Sequence, residues 1–402
     1  MKEAYRLTRK DGAPGIDGVT AADYEANLEA NLLDLLERIK SGRYRAPPVR
    51  RTYIPKSDGS LRPLGIPTFE DKVGQRAVTM VLEAVYEQDF LPCSYGFRPG
   101  RSAHQALRNL RNDLMDKRLN WVVDIDISKY FDSISHSHLR AFLDQRVTDG
   151  VIRRMIDKWL NAGAVEDGLL RRTTKGSPQG GVISPCLSNI FLHHVLDEWF
   201  ETEVRPRLRG QSTLVRFADD AVMAFDNLVD AQRVLEVLGK RLDRFGLTLH
   251  PDKTRIVDFR PLIADSARHP QTDGTSFDFL GLTHVWGRSQ KGKPMVKQVT
   301  AKSRYARALA AVSEWCRKNR HRAIPDQHRH LSSMMRGHFA YYGVGGNIRR
   351  LKVFAHQVVR IWQKWLSRRD RRSVVRWTRL TEILRQHPLP PPKILHPYAP
   401  AS

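Results

Sequence analysis

Thr213-Leu214-Val215-Arg216-Phe217-Ala218-Asp219-Asp220-Ala221-Val222-Met223-Ala224-Phe225 reads as two short apolar strands around a tight Ala218-Asp219-Asp220 turn. An acidic pair at the tip of an apolar hairpin is costly unless cations neutralise it. Taken alone, Asp-Asp in a turn is most often two solvated carboxylates. A second acidic interruption lies upstream. Asp124 and Asp126 break the apolar run from Trp121 to Ile127, and two residues apart they face the same side of a strand. Carboxylates gathered at adjacent strand ends can hold two Mg²⁺ ions, about 3.5–4 Å apart, which activate an attacking oxygen and steady a leaving one.

Around this centre the chain alternates strands and helices irregularly. Val49 to Ile54 and Leu61 to Ile66 are expected to form a hairpin across Ser57-Asp58-Gly59-Ser60. Thr68 is placed to cap a helix whose first turn carries Glu70 and Asp71. Helical spacing predicts one helix from about Ala21 to Lys40, another through Leu139 to Val147, and another from Pro185 through Trp199. Leu228, Ala231, Val234, Leu235, Leu238, Leu242 and Phe245 mark a further amphipathic helix, and Phe277 to Val285 is expected as one strand. This order suits an α+β fold better than a doubly wound sheet.

A chain of 402 residues suggests two or three domains. Cys93, Cys186 and Cys316 are far apart and form no CxxC pair, which argues against a disulfide framework or zinc knuckle and fits a reducing cytoplasm. No apolar run approaches the ~18 residues of a membrane span, and no signal segment opens the chain. The charge is uneven. Residues 1–287 carry 41 basic and 39 acidic side chains, whereas residues 288–387 carry 25 basic and 4 acidic. A segment this basic calls for a polyanionic partner, of which nucleic acid is the commonest. Its helical stripe of Leu351, Phe354, Val358, Ile361, Trp362 and Trp365 is expected to be core. The proline-rich tail from Pro388 is expected to be extended or disordered. Gly287 to Pro294 falls short of a phosphate-binding loop because Pro294 stands where Ser or Thr is required. The pairs His136/His138, His193/His194 and His328/His330 lack cysteine or carboxylate partners at ligand spacing and read as surface or core histidines.

Phe217-Ala218-Asp219-Asp220 resembles the Tyr/Phe-x-Asp-Asp box of reverse transcriptases. Asp126-Ile127-Ser128-Lys129-Tyr130-Phe131-Asp132 looks like their first palm motif. Lys175-Gly176-Ser177-Pro178-Gln179-Gly180-Gly181 with Ser184-Pro185 looks like their template and nucleotide loop. More specifically, the chain resembles group II intron-encoded reverse transcriptases and maturases. It has Gly12-Ala13-Pro14-Gly15-Ile16-Asp17-Gly18, Ile54-Pro55-Lys56, Arg62-Pro63-Leu64-Gly65-Ile66-Pro67 and Ser94-Tyr95-Gly96-Phe97-Arg98-Pro99-Gly100. Phe279-Leu280-Gly281 and Met335-Arg336-Gly337-His338-Phe339-Ala340-Tyr341-Tyr342 follow in the family's order. No Cys/His cluster follows the basic helices, so the resemblance is to the form lacking the endonuclease domain.

The resemblance implies a right-hand polymerase: fingers over residues 1–115, a palm over 116–287, a basic helical thumb or maturase domain over 288–387, and the tail 388–402. It implies that Asp126, Asp219 and Asp220 bind two Mg²⁺ ions, with Mn²⁺ as a substitute, and that Asp124 supports them. Phe131 matches the bulky position that excludes a 2′-OH. Lys56 and Arg62 match residues that grip the triphosphate, and Gln179 matches the residue beside the incoming nucleotide. Lys253 matches a lysine that protonates the pyrophosphate leaving group. Arg336, Tyr341, Tyr342, Arg368, Arg369, Arg371 and Arg372 are the expected RNA contacts. Implied partners are an RNA template, a DNA or RNA primer, dNTPs and group II intron RNA, in the cytoplasm or at the nucleoid and without a membrane. Two alternatives stand beside retromobility and splicing: a host-adopted enzyme of phage defence or DNA repair, and an RNA-binding maturase whose polymerase is vestigial.

Overall fold

The computed structural model describes residues 1–55, 61–166, 169–171, 176, 180–261, 275–289, 291–369 and 374–398. The chain divides into two compact units, Met1–Ala106 with Val122–Ile256, and Leu107–Trp121 with Val257–Ser402. Among the described residues, no helix is long and apolar enough to cross a membrane.

The first unit opens with α1 (Lys2–Leu7), α2 (Ala21–Glu25), α3 (Leu28–Lys40), the strands β1 (Val49–Pro55) and β2 (Leu61–Ile66), and α4 (Phe69–Tyr86). β1 and β2 pair antiparallel, with Arg50 opposite Ile66 and Ile54 opposite Arg62. Thr68 accepts a hydrogen bond from the Asp71 backbone N–H and so caps α4 as its sequence predicts. The expected single helix from Ala21 to Lys40 is instead two. Thr20 and Asp23 close a reciprocal capping box on α2, and Asn27 leaves the helical conformation. The Asn31 side chain donates to the Tyr24 carbonyl, which satisfies a group freed near the break.

The chain continues through α5 (Ala103–Asp116), β3 (Trp121–Ile125), α6 (Tyr130–Ser133), α7 (His136–Asp144), α8 (Gly150–Leu160), β4 (Ala164–Glu166), β5 (Leu169–Arg171) and α9 (Ser184–Leu192). β6 (Ser212–Phe217), β7 (Asp220–Phe225), α10 (Leu228–Arg244) and β8 (Arg255–Asp258) follow. Two four-stranded sheets result, ordered β2-β1-β4-β5 and β6-β7-β3-β8. In the second, Leu214, Val215, Val222, Met223, Ala224 and Phe225 are all buried, so β6 and β7 are covered on both faces and show no alternation. α10 lays Ala231, Val234, Leu238 and Leu242 into this core. β3 stops at Ile125, two residues short of the predicted run, because Ile127 bridges to Leu249 instead.

The second unit contains β9 (Phe277–Phe279), β10 (Leu282–Arg288) and β11 (Pro294–Thr300), then α11 (Lys302–Lys318), α12 (Ile324–Tyr342), α13 (Ile348–Leu366) and α14 (Trp377–Gln386). The expected strand Phe277 to Val285 is a hairpin. Leu280 and Gly281 have φ of 50° and 76° and turn β9 back on β10. Leu351, Phe354, Val358 and Trp362 of α13 are fully buried against Val312, Cys316, Leu331, Met335 and Phe339, with Ile361 and Trp365 packed partly buried beside them. The predicted stripe is therefore core. The tail to Tyr398 is extended and tied down: the Leu395 and His396 N–H groups donate to the Gly343 carbonyl, and Arg111 lies 3.7 Å from the Tyr398 ring centroid.

Candidate active site

The acidic turn is held from inside the protein by one arginine. Arg216, the second-last residue of β6, is fully buried. Its guanidinium donates to both Asp197 carboxylate oxygens at 2.7 and 2.5 Å, to Asn189 Oδ1 at 3.0 Å, to Ser94 Oγ at 2.7 Å and to the Ala218 carbonyl at 2.9 Å. A buried cation survives only with such full pairing. The fifth bond matters for the site, because Ala218 is the first residue of the two-residue turn between Phe217 and Asp220. Ala218 has φ of 57°, an unfavourable conformation for a residue with a Cβ. The segment before Phe97 locks the other side of the turn. A Cβ on Gly96 would stand 2.4 Å from the Ala218 nitrogen, so only glycine fits there. The Tyr95 N–H donates to the Arg216 carbonyl, and the Arg216 N–H to the Cys93 carbonyl.

Asp126 follows the end of β3, the neighbour of β7 in the sheet. Its backbone is clamped by the segment before β8: the His250 N–H and the Thr254 hydroxyl both donate to its carbonyl, and its own N–H donates to Thr254 Oγ1. The same segment aims Lys253, whose Nζ lies 3.0 Å from Asp126 Oδ2. Both side chains remain open to water. Asp124 pairs instead with Arg255 at 3.8 Å. Asp219 is half-buried and Asp220 exposed. The Asp219 charge acts on Tyr130, whose hydroxyl is pushed up chiefly by burial. Tyr130 donates to the Ser188 carbonyl at 3.0 Å and so ties α6 to α9. Phe131, half-buried on α6, sets its ring 5.2 Å from that of Tyr130.

The glycines of the next motif bring its backbone close. The Gly176 N–H donates to the Ile134 carbonyl, and a Cβ on Gly180 would stand 2.6 Å from the Gly65 carbonyl oxygen. Lys56 and Gln179 lie outside the described residues, as do Arg371 and Arg372. Arg62 lies in β2 opposite Ile54, with its side chain outside them.

The expected RNA contacts separate into two groups. Arg336 and Arg368 are exposed. Arg369 is instead engaged in the fold: its Nε and Nη2 donate at 2.5 Å to the Arg320 and Arg322 carbonyls, just past α11. Tyr341 donates to the Leu280 carbonyl at 2.9 Å, and the Tyr342 hydroxyl lies beside Gly281. These tyrosines buttress the β9–β10 turn. The histidine reading needs one correction. His193 and His194 have a carboxylate partner, Glu198, at 3.4 and 2.6 Å. Glu198 stands at the ordinary helical spacing i+4 from His194, and a π-helical turn at His193–Asp197 brings it, at i+5, onto His193 as well.

The sequence singles out the carboxylates and places Ser94 and Gly96 in a motif without a role, but leaves Arg216, Asp197 and Asn189 unassigned. An arginine inside an otherwise apolar strand was the one available signal.

Residues 54–284 match the family described as reverse transcriptase (RNA-dependent DNA polymerase). Protein YkfC of Escherichia coli strain K12 is 36% identical over 332 residues, covering 74% of this chain and 83% of that protein. The group II intron-encoded protein LtrA of Lactococcus lactis is 41% identical over 193 residues, covering 48% and 32%. Nuclear intron maturase 2, mitochondrial, of Arabidopsis thaliana is 29% identical over 232 residues, covering 48% and 30%. The chain thus spans about a third of the length of these two intron-related proteins. Telomerase from Candida albicans aligns over 91% of this chain and 65% of its own, with a TM-score of 0.48 and 13% identity.

Proposed function

This chain belongs to the reverse transcriptase (RNA-dependent DNA polymerase) family, and from that premise we propose that it copies RNA into DNA in the manner of group II intron-encoded enzymes. The observation that carries the reading is the set of three carboxylates, Asp126, Asp219 and Asp220, with Lys253 set 3.0 Å from one of them. The substrates are a primer 3′-hydroxyl and a dNTP. The hydroxyl gives up its proton to water as its oxygen forms a bond to the α-phosphorus, the bond from that phosphorus to the bridging oxygen breaks, and pyrophosphate leaves.

Asp126, Asp219 and Asp220 offer only hard oxygen donors, which suits Mg²⁺, with Mn²⁺ as a substitute. Two such ions, when bound, lower the charge barrier at the attacking and leaving oxygens. The protein's own groups orient the rest. Lys253 carries the proton that the leaving group takes up. The Phe131 ring occupies the space that a 2′-hydroxyl would need. Lys56, Arg62 and Gln179 hold the triphosphate and sugar. In this reading residues 1–115 are fingers, 116–287 palm and 288–387 thumb. The excess of basic residues in 288–387 grips RNA phosphates, with structured intron RNA the natural ligand. Primer extension on an RNA template with dNTPs and Mg²⁺ tests the proposal. Extension products must appear, and ribonucleotides must enter far more slowly until Phe131 is replaced by Val. RNA binding without any extension would favour the maturase reading instead.

A further inference from the structure

Phe97 is a large aromatic residue that folding leaves 58% exposed. It also has φ of 54°, a strained conformation for a bulky side chain. Its surroundings impose that strain. Gly96, its neighbour, is wedged against Ala218, and Asn189 Nδ2 donates to the Gly96 carbonyl at 2.7 Å. Arg98, on the other side, is buried. It donates to the Leu91 and Ser94 carbonyls at 2.8 Å and pairs with Glu87 at 2.9 Å. These anchors over-determine a backbone whose product is a ring held in water. Fold stability gives no reason for it, since burial would be favoured and glycine would suit the φ.

The position of the ring supplies a reason. It lies 6.2 Å from the ring of Phe217, two residues before Asp219. β6, which ends at Phe217, is one edge of the sheet and β8 is the other, with Lys253 just before β8 on Asp126. In phosphoryl transfer the attacking and leaving oxygens lie roughly in line on opposite sides of phosphorus. If the cationic side receives pyrophosphate, the aromatic side receives the attacking strand. We propose that Phe97 is a stacking contact for the terminal nucleotide of the primer, an inference that rests on the polymerase reading above. An aromatic face suits this task because every base and sugar offers an apolar surface, so the contact is tolerant of sequence.

The test is equilibrium binding of the full chain to an RNA template annealed to a labelled DNA primer, read by fluorescence anisotropy without dNTPs. Phe97→Ala should bind about tenfold more weakly, and Phe97→Tyr close to wild type. Removing the terminal base of the primer should weaken wild type by a similar factor and Phe97→Ala hardly at all. Equal losses for both proteins would overturn the proposal. So would sensitivity to a base removed only from the template. Phe97→Gly should bind weakly yet melt no lower than wild type, because it relieves the backbone strain; a much lower melting temperature would show that Phe97 serves the fold. Binding needs no chemistry, so a wild-type protein that shows the coupling but never extends a primer would contradict the polymerase reading alone.

Discussion

Arg216 shows how one side chain decides the chemistry of another. Its guanidinium joins Asp197, Asn189, Ser94 and the Ala218 carbonyl in one buried network. Lysine keeps the charge but cannot reproduce a planar fork of donors. Arg216→Lys should therefore lower stability by about 3 kcal/mol in urea unfolding and slow DNA synthesis through a loosened turn. Unchanged stability and rate would remove Arg216 from this role. Asp71 gives a second residue-scale prediction. It is buried and accepts hydrogen bonds from Tyr44 and from Trp159 Nε1, and burial raises its carboxyl from 3.8 to about 6. The folded state thus holds the proton more tightly than the unfolded chain. The stability this contributes is complete below 3.8 and is lost as pH rises through about 6. The loss is at most about 3 kcal/mol, and Asp71→Asn should remove that falling component from a pH–stability profile. The carboxylates themselves were legible in the sequence, because acidic residues in apolar strands need a reason. Their supports were not, since Ser94, Asn189, Asp197 and Arg216 meet only through tertiary contacts.

Among the elements, those defined by periodicity and caps were read correctly: α4 from its Thr68 cap, α10 and α13 from their apolar stripes, and the β6–β7 hairpin. Misreadings arose where the backbone departs from its local signal. Leu280 adopts a turn conformation that glycine or asparagine would announce, and π-helical turns extend α9 out of register with any 3.6-residue pattern. α12 carries a pH dependence opposite in sign to that of Asp71. His338 stacks on Phe354 at 3.8 Å, and burial lowers its imidazole from 6.5 to about 4. Between these values the unfolded chain binds more protons, so stability rises with pH across the window and falls on acidification. The full effect is at most about 3–4 kcal/mol, less whatever water screens. His338→Phe should remove this rising component between pH 4 and 6.5 and leave the opposite, falling trend of Asp71 in the thermal unfolding profile; an unchanged slope would show that other groups control the acid response.

At the scale of the whole molecule, charge separates two tasks. The carboxylate site lies in a region of near-zero net charge, whereas residues 288–387 hold 25 basic and 4 acidic side chains. Affinity for RNA should come mainly from there and fall steeply with salt, each phosphate contact adding a slope of roughly −0.7 to −0.9 in log K against log salt. Arg336→Glu with Arg368→Glu should weaken binding to all sequences and flatten that slope with little change in melting temperature, since both are exposed. Arg369→Glu should instead lower the melting temperature, because its guanidinium holds the Arg320 and Arg322 carbonyls. Filter binding over a salt series, beside thermal melts, separates the two. The central claim, that the acidic turn performs RNA-templated DNA synthesis, is tested most directly by single-nucleotide extension of a primer on an RNA template with Asp219→Asn. The variant should bind the primer–template as wild type does and incorporate dNTPs at least about 10³-fold more slowly; steady synthesis by the variant in Mg²⁺ would contradict the account.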